Sequence, residues 1–358
     1  MGVTNLAAES DWSLESDLDS VVTSVGIIWN ELNHAHLFLT GGTGFIGCWL
    51  LESLRHADQK LGLKLRVTIL TRDPEAFRRK APHLASYPAF HLIAGDVGSF
   101  EFPAGEFSHM LHAATDASAQ LNETDPLRMF DTIVAGTRRA LDFAVKKGVS
   151  RALFVSSGAV YGQQPWEMER VSEDWIGAPS CNDPKSAYAE GKRAAEILCS
   201  IYQKQFGLKI GIARVFALLG PYLALDIHFA AGNFIFDAMQ GKTVIVNGDG
   251  RPRRSYLYAS DLVAWLWHIL IRGEAGKPYN VGSDESVSIG DLAERISQIL
   301  GTGKFKILGA PDTGWNPGRY VPDVSLIKRE LGLYRTVSLD EAIRRTALWN
   351  GWKGRESL

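Results

Sequence analysis

Short apolar runs alternate with amphipathic stretches from His36 to about residue 215. The runs HLFLT, LRVTIL, HMLHAA and RALFVSS each have the length of a buried strand, and segments such as CWLLESLRHA have apolar residues at helical spacing. Strands that alternate with helices predict βαβ units and a parallel sheet that is covered on both faces. The pattern therefore predicts an α/β fold, doubly wound around one parallel sheet.

Two flanking segments depart from this rhythm. Residues 1–33 include DLDSVVTSVGIIWNEL, whose apolar positions predict an appended helix. Beyond residue 215 the alternation loosens, with a helical stretch GNFIFDAMQG, the apolar run TVIV and the turn NGDG. We therefore expect an N-terminal helical extension over 1–33, a main domain over 34–215 and a smaller α/β lobe over 216–358. No Ser/Gly-rich linker separates the last two, so the lobe is expected to wrap onto the sheet.

The stretch GGTGFIG lies where the first predicted strand hands over to a helix. Glycines at positions 41, 44 and 47 place a bare backbone turn at a helix N-terminus, where free N–H groups and the helix dipole favour an anion. The absence of Cβ atoms lets a pyrophosphate approach, so the loop predicts a dinucleotide site. A tight turn that uses glycine only for its backbone freedom is the alternative. The candidate cofactor residues of this loop are Gly41, Thr43, Gly44, Phe45, Ile46 and Gly47.

The end of the second strand bears on which dinucleotide binds. An NAD site usually has an acidic residue there for the ribose 2′-hydroxyl, whereas this chain has Thr71 followed by Arg72. An arginine can pair with a 2′-phosphate, so the sequence favours NADP(H). If Asp73 takes the ribose instead, Arg72 is a solvated charge and the cofactor is NAD.

Two later strand ends add cofactor candidates. Asp96 in GDV could accept a hydrogen bond from the adenine amino group or could cap the next turn, and Val97 follows it. The run HAAT has small side chains where a strand must pass beside a bound cofactor, which makes Ala113, Ala114 and Thr115 candidates. Two alanines in a buried strand could equally be packing.

A second group of residues has the chemistry of proton transfer. Tyr188 and Lys192 in SAYAEGK are four residues apart, so they share one helix face and the ammonium can lie near the phenol. A nearby cation favours phenolate, and we expect it to lower the tyrosine pKa. Such a tyrosine can move a proton at an alcohol or carbonyl, while Ser157 at the end of RALFVSS hydrogen-bonds the same oxygen.

Composition narrows the class of protein. The chain has 358 residues, 46% of them hydrophobic, and a net charge of -2, which is typical of an ordinary globular protein and does not indicate nucleic-acid binding. Three scattered cysteines suggest neither a disulfide framework nor a zinc site, and we expect no bound metal. No secretory signal or long apolar run is evident, so the expected location is the cytoplasm, with no membrane partner.

The chain resembles the extended short-chain dehydrogenase/reductase family, the NAD(P)-dependent epimerases and dehydratases that act on nucleotide sugars. The motifs that together carry the resemblance are TGGTGFIG, GDV, HAAT, SSGAVYG, YAEGK and RRSYLYASDLV. The resemblance covers roughly residues 35–350. It implies a Rossmann-like domain for the dinucleotide, a C-terminal lobe for the sugar nucleotide and a homodimer formed through a helical bundle. The family's Ser/Thr, Tyr and Lys correspond to Ser157, Tyr188 and Lys192.

The resemblance also narrows the reaction. The 4,6-dehydratases of the family have an Asp-Glu pair where this chain has Gly158 and Ala159, and the UDP-glucuronate decarboxylases have Glu at the position of Ala159. Both reactions are therefore disfavoured by the sequence and stand as alternatives. The preferred interpretation is C4 epimerisation or one-way reduction of a 4-keto sugar. A non-catalytic dinucleotide sensor is the alternative from another class, and the retained Ser, Tyr and Lys argue against it.

In the C-terminal lobe the resemblance implies two substrate residues. Asn233 in GNFI matches a position that holds the nucleotide diphosphate, and Arg254 in RRSYLY matches a phosphate-binding arginine, although it could be a solvated charge. Relatives usually have Asn where Ala217 stands, so the usual pose of the substrate is in doubt.

Overall fold

A computed structural model describes residues 12–115, 119–225, 230–311 and 316–354. The strands, in chain order, are β1 (His36–Thr40), β2 (Arg66–Thr71), β3 (Phe90–Ala94), β4 (His109–His112), β5 (Arg151–Ser157), β6 (Lys209–Val215), β7 (Leu218–Leu219), β8 (Val244–Val246), β9 (Arg253–Arg254), β10 (Leu257–Tyr258), β11 (Pro278–Val281), β12 (Val287–Ser288), β13 (Phe305–Ile307) and β14 (Arg319–Tyr320). The α-helices are α1 (Leu14–Val25), α2 (Phe45–Leu61), α3 (Pro74–Lys80), α4 (Pro82–Ala85), α5 (Ala119–Thr124), α6 (Pro126–Lys146), α7 (Ala187–Phe206), α8 (Ala230–Met239), α9 (Ala259–Arg272), α10 (Ile289–Ile299), α11 (Ser325–Leu331) and α12 (Leu339–Trp349).

The central sheet has the expected doubly wound order. Among the described residues its seven strands run β3-β2-β1-β4-β5-β6-β11, and all their pairings are parallel. The order reverses between β1 and β4. In such sheets a ligand binds outside the carboxyl ends of the strands at this reversal. The predicted Rossmann-like α/β fold is confirmed.

Alternate side chains of β1 show how the sheet is covered on both faces. Leu37 and Leu39 belong to a hydrophobic cluster that includes residues of α1, α2 and α9. Phe38, between them, points to a second cluster formed with α6 and α7, where it lies 4.1 Å from the ring centroid of Phe143. Successive strand side chains face opposite ways, so this one strand contributes to the hydrophobic cluster on each face of the sheet.

Helix α1 packs against α2 and α9. Ser13 caps its N-terminus by accepting a hydrogen bond from Ser16 N–H. Asp17 is 2% exposed, and its carboxylate accepts hydrogen bonds from Tyr258 Oη at 2.6 Å and from Arg345 at 2.6 Å. The helix is therefore anchored to β10 and α12.

The chain beyond residue 215 makes short strand pairs and also returns to the main sheet. Strand β9 pairs with β12 on one side and with β14 on the other, and β8 pairs with β13. Strand β11 lies at the edge of the central sheet beside β6. The boundaries at 33 and 215 stay predictions. None of the described helices is long and apolar enough to cross a membrane.

Candidate active site

The glycine loop lies at the reversal of strand order, and two of its glycines have no room for a side chain. Gly41 has φ +73°, and a Cβ on it would lie 2.5 Å from the carbonyl carbon of Ala113. A Cβ on Gly47 would lie 2.2 Å from the carbonyl oxygen of Gly41. Helix α2 begins immediately after Gly44, and no side chain caps it. A helix start without a side-chain cap and without Cβ atoms at these glycines can accept an anion, so the loop fits a dinucleotide.

A buried hydrogen-bond chain supports the neighbouring strand end. His112 Nδ1 lies 2.7 Å from Thr40 Oγ1, and its Nε2 lies 3.0 Å from Thr137 Oγ1. Thr40 Oγ1 also accepts from Ala114 N–H at 3.3 Å. Burial lowers the pKa of His112 to about 3, which keeps the imidazole neutral. Within the described residues, the buried hydroxyl of Thr115 has no hydrogen-bond partner, which fits a polar group supplied by a ligand.

Basic residues surround the position where the adenosine ribose is expected. Arg72 is exposed directly after β2, and Lys80 Nζ donates to the carbonyl oxygen of Thr43 in the glycine loop at 2.8 Å. Asp73 caps α3 by accepting from Ala76 N–H at 2.9 Å. Its carboxylate is thus already engaged in a helix cap, which weakens the alternative that Asp73 holds the ribose. Lys80 is 37 residues away from Thr43 along the chain, and the sequence analysis did not identify it.

Asp96 and Val97 both have structural contacts of their own. Asp96 Oδ1 accepts from Gly98 N–H at 2.9 Å, which is the turn-capping contact that the sequence allowed. Val97 is buried against α6, where a Cβ on Gly136 would lie 2.8 Å from its side chain. Contact of these residues with adenine stays a prediction.

The three candidate catalytic residues meet at the carboxyl end of β5. Ser157 is the last residue of that strand, and its Oγ accepts from Ala159 N–H at 3.2 Å. Tyr188 and Lys192 lie on α7, and the Lys192 ammonium is 6.0 Å from the centre of the Tyr188 ring. Lys192 is 1% exposed and donates to the carbonyl oxygen of Val155 at 2.8 Å. The structure thus brings together the Ser, Tyr and Lys that the sequence predicted.

The electrostatics of this group differ in one respect from the expectation. Burial raises the pKa of Tyr188, and the group that opposes this rise is the Ser157 hydroxyl. Burial also lowers the pKa of Lys192 to about 8, against the charge of Glu196. The Lys192 ammonium donates to the backbone carbonyl of Val155 and lies 6.0 Å from the centre of the Tyr188 ring, whereas the pKa of Tyr188 responds to burial and to Ser157.

Asn122 positions the start of the catalytic helix. Its Oδ1 accepts from Tyr188 N–H at 3.0 Å, and its Nδ2 donates to the carbonyl oxygen of Lys185 at 2.7 Å. Both partners lie more than sixty residues away along the chain. No sequence signal marked this residue, because a lone asparagine in a short polar helix is common.

The positions that hold carboxylates in related enzymes are filled differently here. A Cβ on Gly158 would lie 2.6 Å from the ring of Phe216, so that ring occupies the space of a side chain at 158. The Phe216 ring is itself covered by Tyr320, at 4.6 Å between ring centroids. Ala159 follows with a methyl group. Neither position can move a proton.

Short strands of the C-terminal lobe bring two further side chains to this point. Strand β9 places Arg254 directly opposite Tyr320 of β14. The Tyr320 hydroxyl lies 3.4 Å from Ser157 Oγ and 3.4 Å from the carbonyl oxygen of Val215. Arg254 therefore lies next to the Ser157 end of the site, as a substrate residue would. The sequence analysis did not identify Tyr320, because 163 residues separate it from Ser157.

Asn233 lies on α8 at the wall of a separate cavity. This cavity has a volume of 570 Å³, and its lining includes Asn233, Val246, Gly248 and Pro252. Pro252 is two residues before Arg254, so the loop before β9 connects the cavity to the catalytic group.

The model of the NAD dependent epimerase/dehydratase family matches residues 37–282. The chain belongs to this family. The match spans the glycine loop, the Ser157, Tyr188 and Lys192 group and strand β9, so the resemblance stated from the motifs is confirmed. Membership of this family supports an NAD-type cofactor.

Curated relatives and solved structures agree with the assignment. The chain is 31% identical over 317 residues to UDP-glucuronic acid decarboxylase 1 of Xenopus tropicalis, which covers 88% of this chain and 72% of the relative. A dTDP-glucose 4,6-dehydratase double mutant from Streptomyces venezuelae, solved with NAD, superposes with a TM-score of 0.73 at 25% identity, covering 87% of this chain and 96% of that one. A UDP-N-acetylglucosamine 4-epimerase from Methanobrevibacter ruminantium superposes with a TM-score of 0.76 at 21% identity, covering 89% and 98%, which shows a shared fold. Enzymatic activity is thus supported over the sensor alternative.

Proposed function

We propose that the protein oxidises C4 of a UDP-sugar with a bound dinucleotide, and that its substrate is UDP-glucuronate, which it decarboxylates. The observation that carries the choice of substrate is the likeness to UDP-glucuronic acid decarboxylases, at 30–31% identity across most of the chain. The geometry that supports it is the Ser157, Tyr188 and Lys192 group beside a loop that fits the dinucleotide.

The residues have separate tasks in this proposal. Tyr188 takes the proton of the C4 hydroxyl and later returns it, Ser157 donates a hydrogen bond to the C4 oxygen, and Lys192 stabilises the phenolate. A dinucleotide, when bound, would supply a hydride acceptor and donor at C4. Oxidation at C4 makes the substrate a β-keto acid, in which the C5–C6 bond breaks, carbon dioxide leaves and the electrons of that bond move to the C4 oxygen. A proton from solvent then adds at C5.

The absence of a carboxylate at Ala159 is compatible with this chemistry. A β-keto acid loses carbon dioxide readily once it has formed, so the demand on the protein is to stabilise negative charge on the C4 oxygen. In this proposal Ser157 and Tyr188 donate to that oxygen, and preorganised donors of this kind are effective in a buried site. A methyl group at 159, unlike a glutamate, does not repel the carboxylate of UDP-glucuronate.

The test is to incubate the purified protein with UDP-glucuronate and to follow carbon dioxide and a UDP-pentose by mass spectrometry. We expect both products from the natural protein and neither from Tyr188→Phe. Recovery of unchanged UDP-glucuronate from the natural protein, with its dinucleotide bound, would refute decarboxylation.

A second candidate is C4 epimerisation or reduction of a 4-keto sugar. The observation that favours it is that Gly158 and Ala159 provide no proton-transferring side chain, and that Phe216 fills the space at 158. A panel of UDP-, dTDP-, GDP- and CDP-hexoses distinguishes the two candidates. Inversion at C4 without loss of carbon dioxide supports epimerisation, and net consumption of reduced dinucleotide supports reduction.

We further propose that Arg72 and Lys80 admit the 2′-phosphate of NADP. Arg72 follows β2, Lys80 contacts the glycine loop, and Asp73 caps a helix, so the charges near the ribose are mainly positive. The ratio of the NADP and NAD dissociation constants, measured by calorimetry, tests the idea. Arg72→Glu is expected to shift this ratio about tenfold towards NAD, whereas Arg79→Glu, at an exposed residue of the following helix α3, is expected to shift it little. Equal ratios in Arg72→Glu and the natural protein would contradict it.

We also propose that the protein is a homodimer formed through α6 and α7, as the family resemblance implies. These two packed helices expose large apolar side chains, among them Leu127, Ile197, Ile201 and Phe206. Light scattering after gel filtration tests this, and Ile197→Glu, at a side chain that is 61% exposed, is expected to shift the protein towards the monomer. A natural protein that elutes only as a monomer would contradict the proposal.

A further inference from the structure

Tyr320 is a second phenol at the catalytic group. It comes from β14 in the C-terminal lobe, and its hydroxyl reaches Ser157 Oγ and the carbonyl oxygen of Val215, each at 3.4 Å. The ring is held by stacking on Phe216 and by the pairing of β14 with β9. The hydroxyl therefore lies beside the serine, at the long end of the hydrogen-bonding range.

The hydrogen-bonding capacity of Ser157 gives this contact a direction. A serine hydroxyl has one hydrogen to donate and two lone pairs to accept. One lone pair already accepts from Ala159 N–H at 3.2 Å. When a substrate oxygen accepts the serine hydrogen, the second lone pair is left for Tyr320.

Tyr320 can make that bond because its hydrogen has two acceptors at equal distance. Donation to the Val215 carbonyl would leave the Tyr320 oxygen to accept from Ser157, which would turn the serine hydrogen away from substrate. Donation to Ser157 produces a chain from Tyr320 to Ser157 to the substrate oxygen, and consecutive hydrogen bonds strengthen each other in a buried site. Burial also raises the pKa of Tyr320, so the phenol keeps its proton.

We propose that Tyr320 is the positioning residue of Ser157: it donates to Ser157 Oγ and directs the serine hydrogen to the oxygen on the reacting sugar carbon. This role rests on the proposed hydride transfer at that carbon. It assigns the C-terminal lobe a part in the proton chemistry in addition to holding substrate.

The variant Tyr320→Phe isolates the hydroxyl, because the ring and its stacking on Phe216 are retained. We expect kcat to fall about five- to tenfold, the usual effect of one hydrogen bond, with KM and the dinucleotide dissociation constant within about twofold of the natural protein. In the background of Ser157→Ala, where the acceptor is absent, the same change is expected to leave kcat unaltered. An unchanged kcat in Tyr320→Phe, or an equal fall in both backgrounds, would overturn the proposal.

Tyr161→Phe is the matched control. This phenol is also buried in the same cluster, but its hydroxyl donates to Asn280 Oδ1 at 2.8 Å and does not contact Ser157 in the described structure. Its loss is expected to lower the melting temperature and to leave kcat near the natural value. The melting temperature of Tyr320→Phe, measured in parallel, shows whether the fold is retained.

A second readout separates this proposal from the proposed function. Tyrosine labelled with ¹³C reports the titration of Tyr188 by NMR, with its signal assigned from Tyr188→Phe. Two charged groups lie near these tyrosines, Lys192 and Arg254. Both are present in the natural protein and in Tyr320→Phe. When no substrate is bound, the serine hydrogen is available to the Tyr188 oxygen. We therefore expect Tyr188 to titrate at higher pH in substrate-free Tyr320→Phe, because Ser157 is then less well oriented to stabilise the phenolate. An unchanged titration would overturn the role of Tyr320 even if the natural protein converts no nucleotide sugar.

Discussion

The proposed dinucleotide half and the proposed sugar half of the site are built in different ways. In the proposed dinucleotide half, the loop from Gly41 to Gly47 is shaped by its own backbone and by tight packing against the residues that follow β4. In the sugar half, Arg254 and Tyr320 are brought to Ser157 by two-residue strands from distant parts of the chain. The first half can be recognised as a motif, whereas the second depends on how the C-terminal lobe folds. Changes in the first should alter cofactor binding and stability, and changes in the second should alter turnover and substrate affinity.

The largest effect is expected at the residue where the halves meet. Tyr188→Phe removes the proton-transferring hydroxyl and should lower kcat by about 10²–10⁴-fold, the range for loss of a general acid–base group. The dinucleotide dissociation constant should change less than about twofold. Turnover is measured by mass spectrometry of the sugar nucleotide and binding by calorimetry. Turnover at the natural rate would show that another group transfers the proton.

Arg254 tests the sugar half alone. Arg254→Ala should raise KM for the nucleotide sugar about ten- to a hundredfold, because a hydrogen-bonded charge pair with a phosphate is lost. Arg253→Ala is the matched control, since Arg253 bonds Ser286 from the neighbouring position of β9. An equal rise in KM for the two variants would place the phosphate elsewhere.

Substitutions at two glycines of one loop separate the effect of tight packing on stability from the effect of an added side chain on dinucleotide binding. Gly47→Ala places a methyl group 2.2 Å from the Gly41 oxygen and should reduce the free energy of unfolding by about 1–3 kcal/mol. At Gly44 a Cβ meets that oxygen at 3.5 Å, so Gly44→Ala should retain stability and weaken only dinucleotide binding. Denaturant unfolding and calorimetry measure the two effects. An unaltered unfolding midpoint in Gly47→Ala would contradict the tight packing.

The smallest effect concerns the buried histidine below the loop. The pKa of His112 is lowered to about 3 in the folded protein, so between about pH 6.5 and 3 the unfolded chain binds more protons. The contribution of neutral His112 is therefore complete above about pH 6.5, and it is lost as pH falls towards 3. His112→Gln should be less stable at neutral pH and should lose less stability on acidification.

The control for this variant is His91→Gln, at an exposed histidine of β3. Its unfolding free energy should follow the natural pH dependence. If His112→Gln and the natural protein lose stability in parallel below about pH 6.5, His112 does not carry this effect.

The fold and the three central side chains could be predicted because their signals are local. Periodicity showed the alternating strands and helices, and the spacing of Tyr188 and Lys192 placed them on one helix face. Asn122, Tyr320 and Lys80 could not be predicted, since each acts on a partner far away in the chain. Contacts of this kind depend on the docking of separate elements, which a single sequence does not reveal. The preference for an epimerase or reductase was inferred from Gly158 and Ala159. On this point the comparisons favour the decarboxylase alternative.

The buried carboxylate of Asp17 has a practical consequence for anyone who shortens the protein. Removal of the first helix would leave the Tyr258 hydroxyl and the Arg345 guanidinium without that acceptor, and Tyr258 lies only four residues after Arg254. A trimmed version could thus bind the sugar nucleotide poorly although every catalytic side chain is present. Truncations should therefore stop short of the helix that begins at Leu14.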